Sequence, residues 1–386
     1  MDFLDSLIEE LKKILDSFRN YLSPQILVVL SLGFISGVPY GVLMDPLNYW
    51  LSEEGIEKST IGLLSLVFLI YSLKVFWAPL VDRLKIPGLH VLGQRRSWLF
   101  ISQFVTGLII LSISFVEPKE SLNIFVYLIL AIGFFSATQD ICADALRIEL
   151  VEKRELGEAS AVYVIGWRIG AILLSGVATF YLAELFGWSF AYLMIGIIVI
   201  FLSFIFLILI REPTREIRPP KDFFKEPLEW LEDSFLAPLK DLYLRYKNHL
   251  LLLLLLIFTY RLSDMFLGPM AMPFYRETGF TKIEVAEITN FYGLIMTILG
   301  GLFAGASVYR FGLSKNLVAG AILTPLTNLP FIYLNMIGHD VNFLIVTITL
   351  DNFTQGFVNV MGVTILGTIV SKSFTATQFA FLVALV

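Results

Sequence analysis

The sequence is short of charge and almost without cysteine. Only 16% of its 386 residues are charged, against roughly 25% in soluble domains, so a soluble globular chain is not indicated. Cys142 is the single cysteine, which leaves no disulfide framework and no cysteine-based metal site within one chain. A net charge of −5 gives no basic footprint for nucleic acid. The three histidines, His90, His249 and His339, fall at span ends or in loops, far apart in sequence. No metal set and no serine beside a base joins them, so an acyl or glycan transferase has nothing to work with. No catalytic residue, metal or cofactor is assigned. Met1-Asp2-Phe3-Leu4-Asp5 is acidic where a signal-peptide n-region is basic, so no cleavable signal is expected.

Apolar residues are abundant: 57% of the chain, with a mean hydropathy of +0.78. Runs of about 20 apolar residues, enough to cross ~30 Å of hydrocarbon, recur from residue 25 onward. Backbone polar groups in lipid must be satisfied internally, so these runs are predicted to be helices. The predicted spans are 25–50, 59–81, 97–116, 122–146, 158–183, 188–210, 249–272, 283–308, 314–337 and 341–369. An eleventh opens near Phe374 and is cut off at Val386. Fold class is therefore an all-α polytopic membrane protein. Its expected organisation is a cytoplasmic amphipathic helix over 1–24, a six-helix half over 25–210, a cytoplasmic linker over 211–248 and an incomplete second half over 249–386. In the first segment Phe3, Leu4, Leu7, Ile8, Leu11, Ile14, Leu15, Phe18 and Leu22 recur at helical spacing with charge on the other face, as in a surface-lying helix. The linker holds Pro219-Pro220 and then an amphipathic stretch from Phe223 to Tyr246.

Lysine and arginine set the orientation. With the N-terminus inside, 21 of the 28 fall on inner segments, four on outer loops and three within spans. The outer four are Lys58, Lys119, Arg276 and Lys282. The halves also share a trace of sequence. Gly55-Ile56-Glu57-Lys58-Ser59-Thr60-Ile61 opens the second span and Gly279-Phe280-Thr281-Lys282-Ile283-Glu284-Val285 the eighth.

Charge inside the apolar runs carries the functional reading. An ionised side chain at the bilayer centre costs at least ~2.5–3.5 kcal/mol, and such residues mark substrate or proton paths. Asp140 and Asp144 lie four apart on one face of the fourth span. Two carboxylates this close suit proton binding; a gate or folding role, with Asp144 against Arg83 or Arg147, is the other reading. Lys74 lies deep in the second span and either reaches the inner surface or pairs with Asp140. Arg168, Arg261, Asp264 and Asp351 share one depth, near mid-membrane. They form either an ion-pair network or a site for a polar substrate coupled to protons. Arg168, Arg261 and Lys74 suit carboxylates, and Tyr163, Trp167, Tyr260 and Phe353 suit sugar rings. Gly33, Gly37 and Gly41 favour close helix packing. The loop after the second span reads Asp82-Arg83, then Arg95-Arg96. Asp82, Arg83, Asp144, Arg95 and Arg96 are expected at an inner gate, where an acid opposes the arginines or caps a neighbouring helix.

That loop is similar to the major facilitator pattern G-x-L-a-D-R-x-G-R-R, and internal repeats about an axis along the membrane normal are how those transporters are built. Further stretches narrow the likeness: Gly33-Phe34-Ile35-Ser36-Gly37-Val38-Pro39, Lys74 to Arg83, Ser136 to Ala145, Gly166-Trp167-Arg168-Ile169-Gly170, Leu262-Ser263-Asp264 and Ser371 to Ala380. Through them the chain resembles the AmpG-type muropeptide permeases of the major facilitator superfamily. The resemblance implies twelve spans in two pseudo-repeated halves. It also implies proton-driven import of anhydromuropeptides, which are sugar-peptide wall fragments, across the inner membrane by a monomer. Carriers of acetyl-CoA are relatives, so another anionic metabolite is the alternative. A non-transporting assembly or sensor protein of the same fold is the third reading. The family's lysine after the asparagine of the eighth span is replaced here by Phe291 of Asn290-Phe291.

Overall fold

A computed structural model describes residues 20–213, 226–260, 271 and 274–385. The first span is two helices, α1 (Pro24–Val42) and α2 (Asp45–Glu53). Ser23 caps α1 through the Ile26 N–H, with Pro24 in the first turn, where its missing N–H is no loss. Pro39 sits near the end of α1, and the chain breaks at Leu43-Met44 before α2 restarts on Asp45-Pro46. The second span is the run Lys58–Phe76 (α3) followed by Ala78–Arg83 (α4). The sequence predicts one helix over 59–81. The structure breaks it at Trp77 because Pro79 restricts the residues before it and supplies no N–H. Then come α5 (Gln94–Ile113), α6 (Leu122–Glu149), α7 (Leu156–Phe186) and α8 (Trp188–Leu209).

The linker folds as α9 (Pro227–Leu231) and α10 (Ala237–Tyr246), and α11 (Leu250–Tyr260) follows. The remaining labelled helices are α12 (Gly293–Phe311), α13 (Leu313–Ile337), α14 (Val341–Ile369) and α15 (Thr375–Val383). Among the described residues nine helices are long and apolar enough to cross a membrane. The helix expected over 1–24 lies outside the described residues except for one turn, Asn20–Leu22.

The repeat seen in the sequence is also a repeat in backbone. Gly55 (φ 74°) and Gly279 (φ 92°) are both left-handed. The next residue in each case donates back five positions, Ile56 to the Leu51 carbonyl and Phe280 to the Tyr275 carbonyl, at 3.0 Å in both. These are two copies of one glycine-terminated helix end. Thr281 and Glu284 then exchange capping bonds, and His339 lies 3.0 Å from the Glu284 carboxylate. The His339 contact, together with the Thr281 donors, holds Glu284 down to about 2.

Burial shows how the halves meet. One apolar core on the side that carries the linker contains residues of both: Ile26, Leu146 and Leu156 with Ile365, Ile369 and Phe379. On the far side the cores are separate. Trp50, Ile110, Phe125 and Tyr192 form one, and Tyr275, Phe280, Leu334 and Ile348 another. Among the described residues the halves are therefore shut together on the linker side.

Glycine brings α1 against α7. A methyl group on Gly33, Gly37, Gly166 or Gly170 would overlap a backbone carbonyl of the facing helix. Gly300 and Gly356 do the same between α12 and α14. Gly37→Ala is expected to cost ~1–3 kcal/mol through overpacking, because the obstacle is backbone and cannot rotate away. Gly62→Ala, which meets nothing within 4 Å, should leave the unfolding temperature in detergent unchanged. Equal melting of the two variants would refute the packing account.

Candidate functional site

Lys74 is 2% exposed, in the tight turn Lys74–Phe76 near the end of α3. Its ammonium is ion-paired to Asp140 and lies 3.4 Å from Asp144 Oδ2. The four-residue spacing on α6 points both carboxylates at one cation. Arg147, one turn further and fully buried, stands 3.6 Å from Asp144 Oδ1 and donates to Ser160 Oγ at 2.9 Å. Its guanidinium packs over the ring of Tyr163 and, across the seam, over that of Phe379, each at 5.1 Å. The Tyr163 hydroxyl lies 3.2 Å from Ser36 Oγ and 3.3 Å from Asp140 Oδ1. Two cations and two carboxylates thus form one linked set, its cations buried and Asp140 partly exposed. A proton arriving on either acid leaves Lys74 with one counter-charge fewer, so protonation and side-chain position are linked there.

Next to this set lies an aromatic group that the sequence reading saw only in part. Tyr40 packs against Phe68 (4.7 Å), Tyr71 (5.1 Å) and Trp167 (5.2 Å). The Tyr71 hydroxyl meets Ser136 Oγ at 2.5 Å, and Trp77 donates to Thr138 Oγ1 at 3.0 Å. Tyr163, expected as a stacking ring, is 7% exposed with one face taken by Arg147. Its surroundings give it a hydrogen-bonding place beside Asp140 instead.

Arg168 sits where α7 widens into the π-helical stretch Ile169–Ala178, a feature frequent at functional positions. It lines a cleft of about 10 Å³ with Thr297, Gly301, Gly356 and Asn359 of the second half. Among the described residues no side chain pairs with it. Asp351 lies one to two turns along α14 from that cleft and accepts from Gln355 at 3.3 Å. Phe353 packs on Phe303 at 5.7 Å. Arg261, Asp264 and the Tyr260 side chain lie outside the described residues.

The expected gate residues separate into two kinds. Asp82 does both things open to it in the sequence. One oxygen pairs with Arg95, and the other accepts from the Thr377 N–H at 2.7 Å and from its hydroxyl, which caps α15 across the seam. Arg95 also meets Glu149 Oε1 at 3.2 Å. Arg83 stacks over Phe374 at 5.2 Å and donates to the Asp233 carbonyl of the linker at 3.1 Å. Asp144 meets Arg147, one of the two partners the sequence allowed, and joins the Lys74 set rather than the Asp82–Arg95 cluster. One expectation is corrected. Arg96 stays within its own half, on the carbonyls of Leu92 and Leu207.

Three partners were missed. Glu212 accepts the N–H groups of Arg95 (2.9 Å) and Arg96 (3.3 Å), closing the start of α5 from a distant stretch of chain. Gln378 joins α15 to the linker: its amide oxygen takes Ser371 N–H and Arg245, and its NH2 reaches the Pro238 carbonyl and Asp241. Arg245 completes the joint on the Ile369 carbonyl at 2.6 Å. Gln378 lies in the Ser371 to Ala380 stretch that carries the family likeness, but none of the contacts is readable there, since each spans more than a hundred residues or depends on a turn.

Comparison with known proteins agrees with this architecture. The family model for the Major Facilitator Superfamily matches residues 27–260. The Rickettsia conorii protein named AmpG 4 is 36% identical, over 95% of this chain and 86% of its own. The anhydromuropeptide permease of Escherichia coli K12 is 33% identical, over 95% of this chain and 72% of its own. Among solved structures, the fucose:proton symporter of E. coli superposes with a TM-score of 0.69 at 16% identity, covering 95% of this chain and 88% of that one. The proton:xylose symporter XylE does so at 0.63 and 13%, with coverage of 95% and 86%. With a family model matching more than half of its length and relatives above 30% identity over most of both chains, the chain belongs to the Major Facilitator Superfamily and, within it, to the AmpG permease family.

Proposed function

We propose that this protein imports anhydromuropeptides into the cytoplasm, driven by protons. The observation that supports the coupling is the Lys74–Asp140–Asp144 set around a buried lysine, an intramembrane group able to take and give a proton. The likeness to a named anhydromuropeptide permease supports the substrate class. The excess of lysine and arginine on the linker side makes that side, and the N-terminus, cytoplasmic, which fits the inner membrane. In the state described, the cytoplasmic side is shut and Arg168 stands at the seam. On this reading it meets a substrate carboxylate, with Arg261, Asp264 and Asp351 as further members of the path. Trp167 and Phe353 offer rings to the sugars. Protonation of Asp140 or Asp144 from the outer side releases Lys74 and, through Arg147 and Phe379, loosens the seam.

The test is uptake of labelled anhydromuropeptide into vesicles holding this protein, with and without a proton gradient. Uptake that follows the gradient, and that falls at least tenfold in Asp140→Asn, is expected. Gradient-driven uptake of acetyl-CoA that anhydromuropeptide fails to inhibit would transfer the reading to the nucleotide carrier.

A further inference from the structure

The third residue of α7, Glu158, is 0% exposed. It lies in the seam on the linker side. A methyl group on Gly305 of the opposite half would come 3.0 Å from the Glu158 Cα. One carboxyl oxygen accepts a single long bond from Asn20 Nδ2 at 3.3 Å. The other, Oε2, has no partner among the described residues. Tyr21 closes the space from the side, its hydroxyl donating to the Leu302 carbonyl at 2.7 Å. The charged neighbours are few. Arg154 and Glu155, in the turn before α7, act on Glu158 from outside. The Arg154 guanidinium is occupied over the Tyr309 ring at 4.3 Å. From the opposite half Arg310 ends α12, lying 6.0 Å from the Phe311 ring centroid. Among the described residues no cation is bonded to the carboxyl.

A buried carboxylate without a paired cation is strongly disfavoured, whereas a neutral acid with one hydrogen bond is tolerable. Opening the seam hydrates the free oxygen and removes the penalty. We propose that Glu158 is a proton-binding site separate from the Lys74 set, holding a proton while the linker side is shut and giving it to water when that side opens. The step balances simply: the O–H bond of the acid breaks, the electron pair stays on the carboxylate, and one proton enters the solvent. Closure takes the same proton back. The inference rests on separation of the halves at this seam and on nothing about the substrate.

Rising pH must then favour the open linker side, by up to about tenfold per pH unit, the limit for one proton. The experiment places spin labels on Lys153→Cys and Lys315→Cys, exposed positions on the two halves. Cys142 is buried and stays unlabelled. Distances are read by double electron–electron resonance in lipid nanodiscs without substrate, from acidic to alkaline buffer. The long-distance population is expected to grow with pH in the parent, and to stay small and flat in Glu158→Gln. Asn20→Leu leaves the acid in place but removes the bond that favours its ionised form, so the opening midpoint should move to higher pH. A pH response in Glu158→Gln that superposes on the parent's, or an unmoved midpoint in Asn20→Leu, would overturn the assignment.

Discussion

Lys74→Met is expected to abolish gradient-driven uptake and to lower stability by ~3–5 kcal/mol, the usual result of removing one partner from a buried ion pair. Methionine fills the space of the lysine stem, so lost packing contributes little. What remains is the problem of Asp140 and Asp144, four residues apart on α6 and now without the ammonium between them. Arg147 relieves Asp144 only in part, at 3.6 Å and with its ring contacts to keep. The double variant Lys74→Met/Asp140→Asn should recover much of the stability, because the orphaned charge is gone, yet none of the uptake. Denaturant unfolding in detergent of the parent, Lys74→Met, Asp140→Asn and the double variant gives the four values needed for a coupling energy. A single variant that unfolds like the parent would show that the Lys74 pairs contribute nothing net.

Asp82→Ala is the second large effect, and it is directional. The carboxylate serves Arg95 in its own half and the start of α15 in the other. Only the second bond exists because the halves touch. Its loss removes a helix cap worth about 1–2 kcal/mol, which shifts a closed-to-open ratio by a factor of roughly 5–30. A cysteine at Ala380, buried on α15, should be alkylated faster by that factor. Asp82→Asn separates the roles, since asparagine caps about as well as aspartate but gives up the charge facing Arg95. It should destabilise the first half while leaving alkylation slow. Equal rates in both variants would place the closing force elsewhere in the seam.

The fold was legible where hydrophobicity alone decides it. The run 341–369 is the helix Val341–Ile369, and Asp140 and Asp144 share a face because helical geometry requires it. The double duty of Asp82 was half visible, as two alternatives that turn out to be simultaneous. What the sequence hides is contact at long range. Glu158 reads as one acid at the start of a span; only the approach of Gly305 and Asn20 shuts it away. The break at Trp77 is written as Pro79, but its consequence, a tight turn that aims Lys74 at α6, needs the neighbouring helix to be recognised. Tyr163 looks like a sugar platform until Arg147 is seen on its face.

The shared apolar core on one side and the split cores on the other have a thermal consequence. Each opening exposes apolar surface on the linker side that the contact between the halves had buried, so the two orientations differ in heat capacity. Apolar cohesion weakens on cooling. Cold therefore loosens the seam before it loosens either half, and the rate at which the carrier turns over is tied to temperature by that seam as well as by the membrane around it.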